Sequence, residues 1–262
     1  MRLSRLVMLC IGVAAFTACS SDEVTDPTFP PLAGVRFINA LSDTGAVDIR
    51  FIDQVEFSAV ANALAYRSGT EHQPTEAKAR HLRVFPTSIN PAITSGFMVD
   101  TTLTFTADSR VTLLLTGSAR SKTARFVVIT DDVPSLSAGQ IAVRIVNAAT
   151  GAVDAYVVTT ATDPIPGTPA AGNVVSLATS SYFTRSTGAV AVRVTDAGAT
   201  TVNASAAGPV SPAAIPGALP AAGVNTSGSA FSAFYFPRGV AGSPNTQTTP
   251  GIVWFVDRVP TS

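Results

Sequence analysis

Residues 35–52, VRFINALSDTGAVDIRFI, return in shortened form as residues 143–158, VRIVNAATGAVDAYVV. A chain that restates itself in this way folds as two related halves, each closing its own core before the next begins. Within the first copy Val35, Phe37 and Asn39 alternate with Arg36, Ile38 and Ala40, and Val47, Ile49 and Phe51 share one face further on. A period of two is the pattern of a β-strand. The small and polar residues between the two runs are turn formers. Each copy therefore predicts a pair of short strands joined as a hairpin.

Two further blocks repeat in the same order. Leu82-Arg83-Val84 corresponds to Val192-Arg193-Val194, and residues 129–134, ITDDVP, to residues 255–260, FVDRVP. The added length of the second half falls in residues 159–173 and 206–223, both rich in Pro, Gly and Ala and expected as long loops. Further strands are expected over 80–85, 98–106, 110–117 and 125–130, and a polar loop over 238–251. Residues 58–65, SAVANALA, allow one or two helical turns, followed by a loop over 66–79 broken by Gly69 and Pro74.

No segment sustains a helical period, hydrophobic residues make up 46% and charged residues only 13%, a mixture that suits strand surfaces. The predicted fold is all-β: two tandem antiparallel β-sandwich, immunoglobulin-like, domains over 35–134 and 141–262, joined by a linker at 135–140.

The chain opens MRLSRLVMLCIGVAAFTACSS, with Arg2 and Arg5 ahead of an apolar run that is too short to span a bilayer. This predicts an export signal over 1–18. Phe16-Thr17-Ala18-Cys19 resembles the lipobox of bacterial lipoproteins, which implies acylation of Cys19 and a flexible tether over 19–34. Loss of Arg2 and Arg5 leaves 15 basic against 17 acidic side chains, too balanced to suggest nucleic acid as a partner. Both cysteines, Cys10 and Cys19, lie in the signal region, so the folded part is expected to hold no disulfide, thiolate metal site or cysteine nucleophile.

The combination of V-R-(F/I)-(I/V)-N-A, then G-A-V-D, then L-R-V or V-R-V, then a closing D-x-V-P before a fresh copy resembles the bacterial domains grouped as domain of unknown function 4397. The resemblance implies tandem domains on a secreted or lipid-anchored protein. This chain has N-A-L-S-D-T-G and N-A-A-T-G where H-A-S-P-D-A-P is typical, so no histidine role at the first strand end carries over.

Asn39 with Asp48, and Asn147 with Asp154, are polar pairs that both copies keep. Hairpin bonding explains them better than calcium, which needs six or more oxygen ligands. Asp131 and Asp132 are adjacent and fall on opposite faces of an extended strand. His72 and His81, beside Glu71 and Glu76, read as solvated loop and strand residues rather than metal ligands. No G-x-S-x-G and no phosphate-binding loop is present. In SAFSAFYFPRG, alternation separates Phe234 and Phe236 from Phe231 and Tyr235; one set should be core and the other a binding face, with Phe231, Tyr235 and Trp254 the candidates.

The expectation is a non-enzymatic, lipid-anchored protein of the outer membrane that binds or scaffolds at the cell surface without a cofactor or metal. Its partners would be the membrane through Cys19 and a surface polysaccharide or envelope protein. The alternative is a carbohydrate-active hydrolase drawing two carboxylates from Asp43, Glu71, Glu76 and Asp131.

Overall fold

Alternating apolar residues can bury one face of a strand only if a second sheet covers it, and in this chain that covering sheet comes from the same repeat. The computed structural model describes residues 29–53, 60–213 and 220–260. The first half contributes β1 (Leu32–Asn39), β2 (Val47–Phe51), β3 (Ala61–Leu64), β4 (Gln73–Glu76), β5 (Ala79–Pro86), the single helical turn α1 (Pro91–Thr94), β6 (Val99–Thr104), β7 (Arg110–Thr116) and β8 (Arg125–Thr130). The second contributes β9 (Gln140–Asn147), β10 (Val153–Val158), β11 (Ala171–Val174), β12 (Phe183–Ser186), β13 (Ala191–Asp196), β14 (Val202–Ala207), β15 (Ala230–Phe236) and β16 (Gly251–Arg258).

These form four four-stranded sheets, ordered β4-β1-β7-β8, β3-β2-β5-β6, β12-β9-β15-β16 and β11-β10-β13-β14. They pair as two sandwiches, so the all-β sandwich class stands. The sheets are not purely antiparallel, because β1 runs parallel to β7 and β9 parallel to β15. Five strands separate β1 from β7, so no tight turn forces them into opposite directions.

The repeat itself is not a hairpin. β1 lies in one sheet and β2 in the other, and the same holds for β9 and β10. Val35 and Phe37 meet Val47, Ile49 and Phe51 across the first core instead of beside them. Each copy of the repeat is thus an arch that spans its sandwich. The helical turns expected near residues 58–65 are replaced, in the part described, by β3 on the edge of β2, and the expected loop over 66–79 contains β4 on the edge of β1. Pro74, with no N–H to donate to a ladder, is accommodated because β4 is an edge strand.

The two sandwiches do not hang apart on a linker. The outward face of the β1 sheet packs on that of the β9 sheet, where Ile38, Leu114 and Ile129 from the first half join Val146, Phe234 and Phe236 from the second in one buried cluster. Tyr66 meets Phe236 edge-on across this seam, with ring centres 6.1 Å apart. The central strands β1, β7 and β9 are consequently buried on both faces over most of their length, and β15 over its whole length.

Candidate functional site

The seam also holds the chain's most concentrated polar chemistry. Arg36 on β1 stands beside Thr112 on β7, and Arg144 on β9 stands beside Ser232 on β15, in matching registers. Arg36 donates to Thr112 Oγ1 through Nε (2.9 Å) and Nη2 (2.7 Å), and reaches across the seam to Asp257 Oδ1 (2.8 Å) and the Val256 carbonyl (3.0 Å). Arg144 returns the pattern, donating to Ser232 Oγ (2.7 Å), to Asp131 and to the Thr130 carbonyl (2.8 Å). Thr112 donates onward to Asp131 (2.7 Å) and Ser232 to Asp257 (2.7 Å). The two halves thus exchange arginines about an approximate twofold axis, and all four ionic side chains are buried. Buried ions persist only when paired and fully bonded, as these are.

His72 and Tyr182 occupy equivalent places at the rim of this network. His72 Nε2 donates to Asp131 Oδ2 at 2.8 Å, and its Nδ1 accepts from Arg110 at 3.0 Å. That pattern fits the neutral ring. Burial pushes the imidazole below the usual histidine range, and Arg36 and Arg110 add to this against the pull of Asp131. His72 is therefore not the solvated loop residue expected: its side chain is buried, held between Asp131 and Arg110. Tyr182 donates to Asp257 Oδ2 at 2.9 Å, and burial together with the Asp257 charge pushes its hydroxyl pKa upward. Burial alone would raise Asp131, but the His72 hydrogen bond and the charges of Arg36 and Arg144 outweigh it and hold the carboxyl below its ordinary value. His81 lies at the surface and pairs with Asp100.

The Asn and Asp retained by both copies build the arches. Asn39 donates to the Leu64 carbonyl and accepts from Leu41 N; Asn147 donates to Val174 and Gly151 and accepts from Ala149 N. Asp48 accepts from Ala63 N at 2.8 Å and Asp154 from Asn173 N at 2.7 Å. Ala63 and Asn173 have φ of 49° and 50°, at register shifts in β3 and β11. A left-handed residue with a side chain is strained, and the aspartate bond holds it in place.

The expected aromatic binding face is not at the surface. Phe231 and Tyr235 lie in the second core and Phe234 and Phe236 in the seam, while Trp254 is half-buried and edge-on to Phe231 at 6.1 Å. Alternation separated the two sets correctly, but the neighbouring sandwich buries the set that one isolated domain would expose. The carboxylates of the hydrolase alternative fare similarly. Asp43 and Asp131 are buried, and Asp43 is bonded by Ser118 Oγ and by the N–H groups of Ala119 and Arg120. Glu76 pairs with Lys78 at the surface. Among the described residues no three His, Cys, Asp or Glu side chains gather as a metal site, and no helix is long and apolar enough to cross a membrane. Cys19 and residues 1–28 lie outside the described residues.

Among the described residues, one open region lies where β1, β7, β9 and β15 all end. There a cleft of ≈ 710 Å³, walled by the β15–β16 loop, adjoins a smaller one of ≈ 280 Å³ on the floor between the sandwiches, and the two share Ser42, Thr150 and Pro237. A third, of ≈ 410 Å³, runs between residues 170 and 183. None of the three has a carboxylate in its lining. The β15–β16 loop is anchored on the first half by Val240 N to the Ser42 carbonyl (2.8 Å), Arg120 to the Gly242 carbonyl (2.7 Å) and Arg67 to the Pro237 carbonyl (2.6 Å).

Fold and seam together define a duplicated β-sandwich protein whose halves are joined by reciprocal ion pairs. Residues 33–156 match the model of the domain of unknown function DUF4397, consistent with the resemblance that the repeat carries. The match covers nearly all of the first sandwich and continues through β9 into β10. No curated protein sequence matches the chain. Among solved structures, one from work on α-glucan recognition by family 41 carbohydrate-binding modules of streptococcal virulence factors is similar at 9% identity, over 84% of this chain and 96% of that one, with a TM-score of 0.23. A score of that size transfers neither a site nor a ligand.

Proposed function

We propose that the chain is a non-enzymatic lipoprotein of the cell envelope, held in the outer membrane through Cys19, whose domains over 35–134 and 141–262 present a rigid binding or scaffolding surface to a polysaccharide or another envelope protein. The observation that supports it best is the reciprocal pairing of Arg36 with Asp257 and Arg144 with Asp131. It consumes the buried groups best suited to acid–base work and turns two small domains into one stiff body. Chain direction supports the same reading. The chain enters that body at the start of β1, and the loops of the open cleft gather beyond the far end of the same strand. A tethered protein that binds at a distance from its anchor needs this polarity.

Metabolic labelling with a radiolabelled fatty acid, followed by membrane fractionation and protease shaving of intact cells, tests the reading. Wild-type chain should carry label, fractionate with the outer membrane and be cleaved from outside, and Cys19→Ala should lose the label. An unlabelled wild-type chain removes the anchor, and a labelled chain protected in intact cells removes the surface assignment.

A further inference from the structure

The two linked clefts at the far end of β1 and β9 have an uneven origin. Their floor comes from matching segments of the two repeats, Ala40 and Ser42 from one and Ala148 and Thr150 from the other, with Gly117 and Pro237 at equivalent ends of β7 and β15. Their wall comes from residues 238–248, in a β15–β16 loop longer than its β7–β8 counterpart. The site therefore requires both halves and the seam, and its wall is built by the copy that diverged.

The lining is chemically one-sided. Ser42, Thr116, Thr150 and Thr248 supply hydroxyls that form no hydrogen bond with the described residues. Arg125 on the floor and Arg238 on the wall supply guanidinium groups that are exposed and likewise neither hydrogen-bonded nor ion-paired. Gln247, also in the wall, keeps its Oε1 buried with no donor on it. With no carboxylate in the lining, nothing offsets the two positive charges.

Unpaired guanidiniums among free hydroxyls and amides match a ligand that carries carboxylates and many hydroxyls, because arginine binds carboxylates through paired, charge-assisted hydrogen bonds. We propose that this cleft binds an acidic polysaccharide, a polyhydroxylated chain bearing carboxylates. The proposal rests on the binding role argued above and gives that role a site and a ligand class. The neutral hydroxyls read the sugar, and Arg125 and Arg238 read its charge.

Calorimetric titration of the full-length chain in detergent tests it, with three probes: a galacturonate hexamer, maltohexaose as the neutral sugar, and polyglutamate as the carboxylated chain without hydroxyls. The galacturonate hexamer should bind, and more weakly as salt is raised. Arg125→Ala and Arg238→Ala should each weaken it about tenfold, the worth of one charge-assisted contact. Both arginines are exposed and unbonded, so the variants should keep the wild-type melting temperature, and Thr150→Trp should block the cleft without touching either charge. Variants that bind like wild type, maltohexaose or polyglutamate binding as tightly as galacturonate, or no binding of the hexamer overturn the proposal. An unlabelled Cys19 with intact hexamer binding removes the anchor and leaves the cleft supported, whereas a labelled surface protein that ignores the hexamer removes the cleft alone.

Discussion

Arg36 of the first sandwich donates to Asp257 of the second at 2.8 Å, and neither side chain is open to solvent. The symmetric partner runs from Arg144 back to Asp131. Each half thus supplies the cation for one close pair and the anion for the other, while the longer contacts, Arg36 to Asp131 at 3.7 Å and Arg144 to Asp257 at 4.0 Å, stay within a half.

Removing one partner should cost far more than removing both. Arg36→Ala leaves buried Asp257 with only Arg144, 4.0 Å away, and should destabilise the chain by about 3 kcal/mol, whereas Arg36→Met with Asp257→Leu should lose much less. Urea unfolding of the single and double variants reads the difference. Losses that simply add would show that the pair is not coupled.

Stability should fall as the solution is acidified below neutrality. The folded pKa of His72 is depressed, so below its unfolded value of about 6.5 the unfolded chain takes up a proton that the folded chain resists. Its contribution is complete above about pH 6.5 and declines as pH falls toward the folded value. Asp131, also depressed, contributes fully above about pH 3.9 and loses that contribution as pH falls through its own folded value. Urea midpoints between pH 8 and pH 5 should drop less steeply in His72→Gln than in wild type; identical slopes would exclude His72 as the source.

Gly69 sits where the seam leaves no room for a side chain. A Cβ there would lie 2.6 Å from Phe255 Cε1 and 3.0 Å from Ile38 Cγ1, with the Phe37 carbonyl behind them. Gly69→Ala should cost about 1–3 kcal/mol by overpacking, and Phe255→Leu in the same chain should recover part of it. No recovery would place the strain elsewhere.

Asn39→Ala and Asn147→Ala should each cost about 1–3 kcal/mol, because each leaves buried backbone groups of its arch without partners. Similar losses from thermal melts of both variants are expected, since the two arches bond alike. A loss confined to one copy would show that only that arch depends on its asparagine.

Much of this architecture is written in the repeat. Period-two alternation put Val35 and Phe37 on one face of β1 and Arg36, Ile38 and Ala40 on the other, and the structure keeps that division. It also separated Phe234 and Phe236 from Phe231 and Tyr235. What alternation could not give is the partner of each face. The arch looked like a hairpin because two adjacent strands with apolar faces satisfy both readings, and only the strand order, with β1 and β2 in different sheets and Phe37 meeting Phe51 across the core at 6.3 Å between ring centres, distinguishes them. The seam had a signal of its own: both copies keep an arginine on the second face of the first strand and an aspartate in the closing D-x-V-P, beside apolar Ile38 and Val146 that a solvated face would not need.

By itself the sequence determined the strands of the repeat, their two faces and the duplication, since these follow from backbone geometry and from side chains a few residues apart. The tertiary structure alone decided that the second face is dry, that His72 and the aromatic strand lie inside, and that the open cleft falls between the copies. Those outcomes depend on segments far apart in the chain meeting in space, and a local period carries no information about what will cover a face.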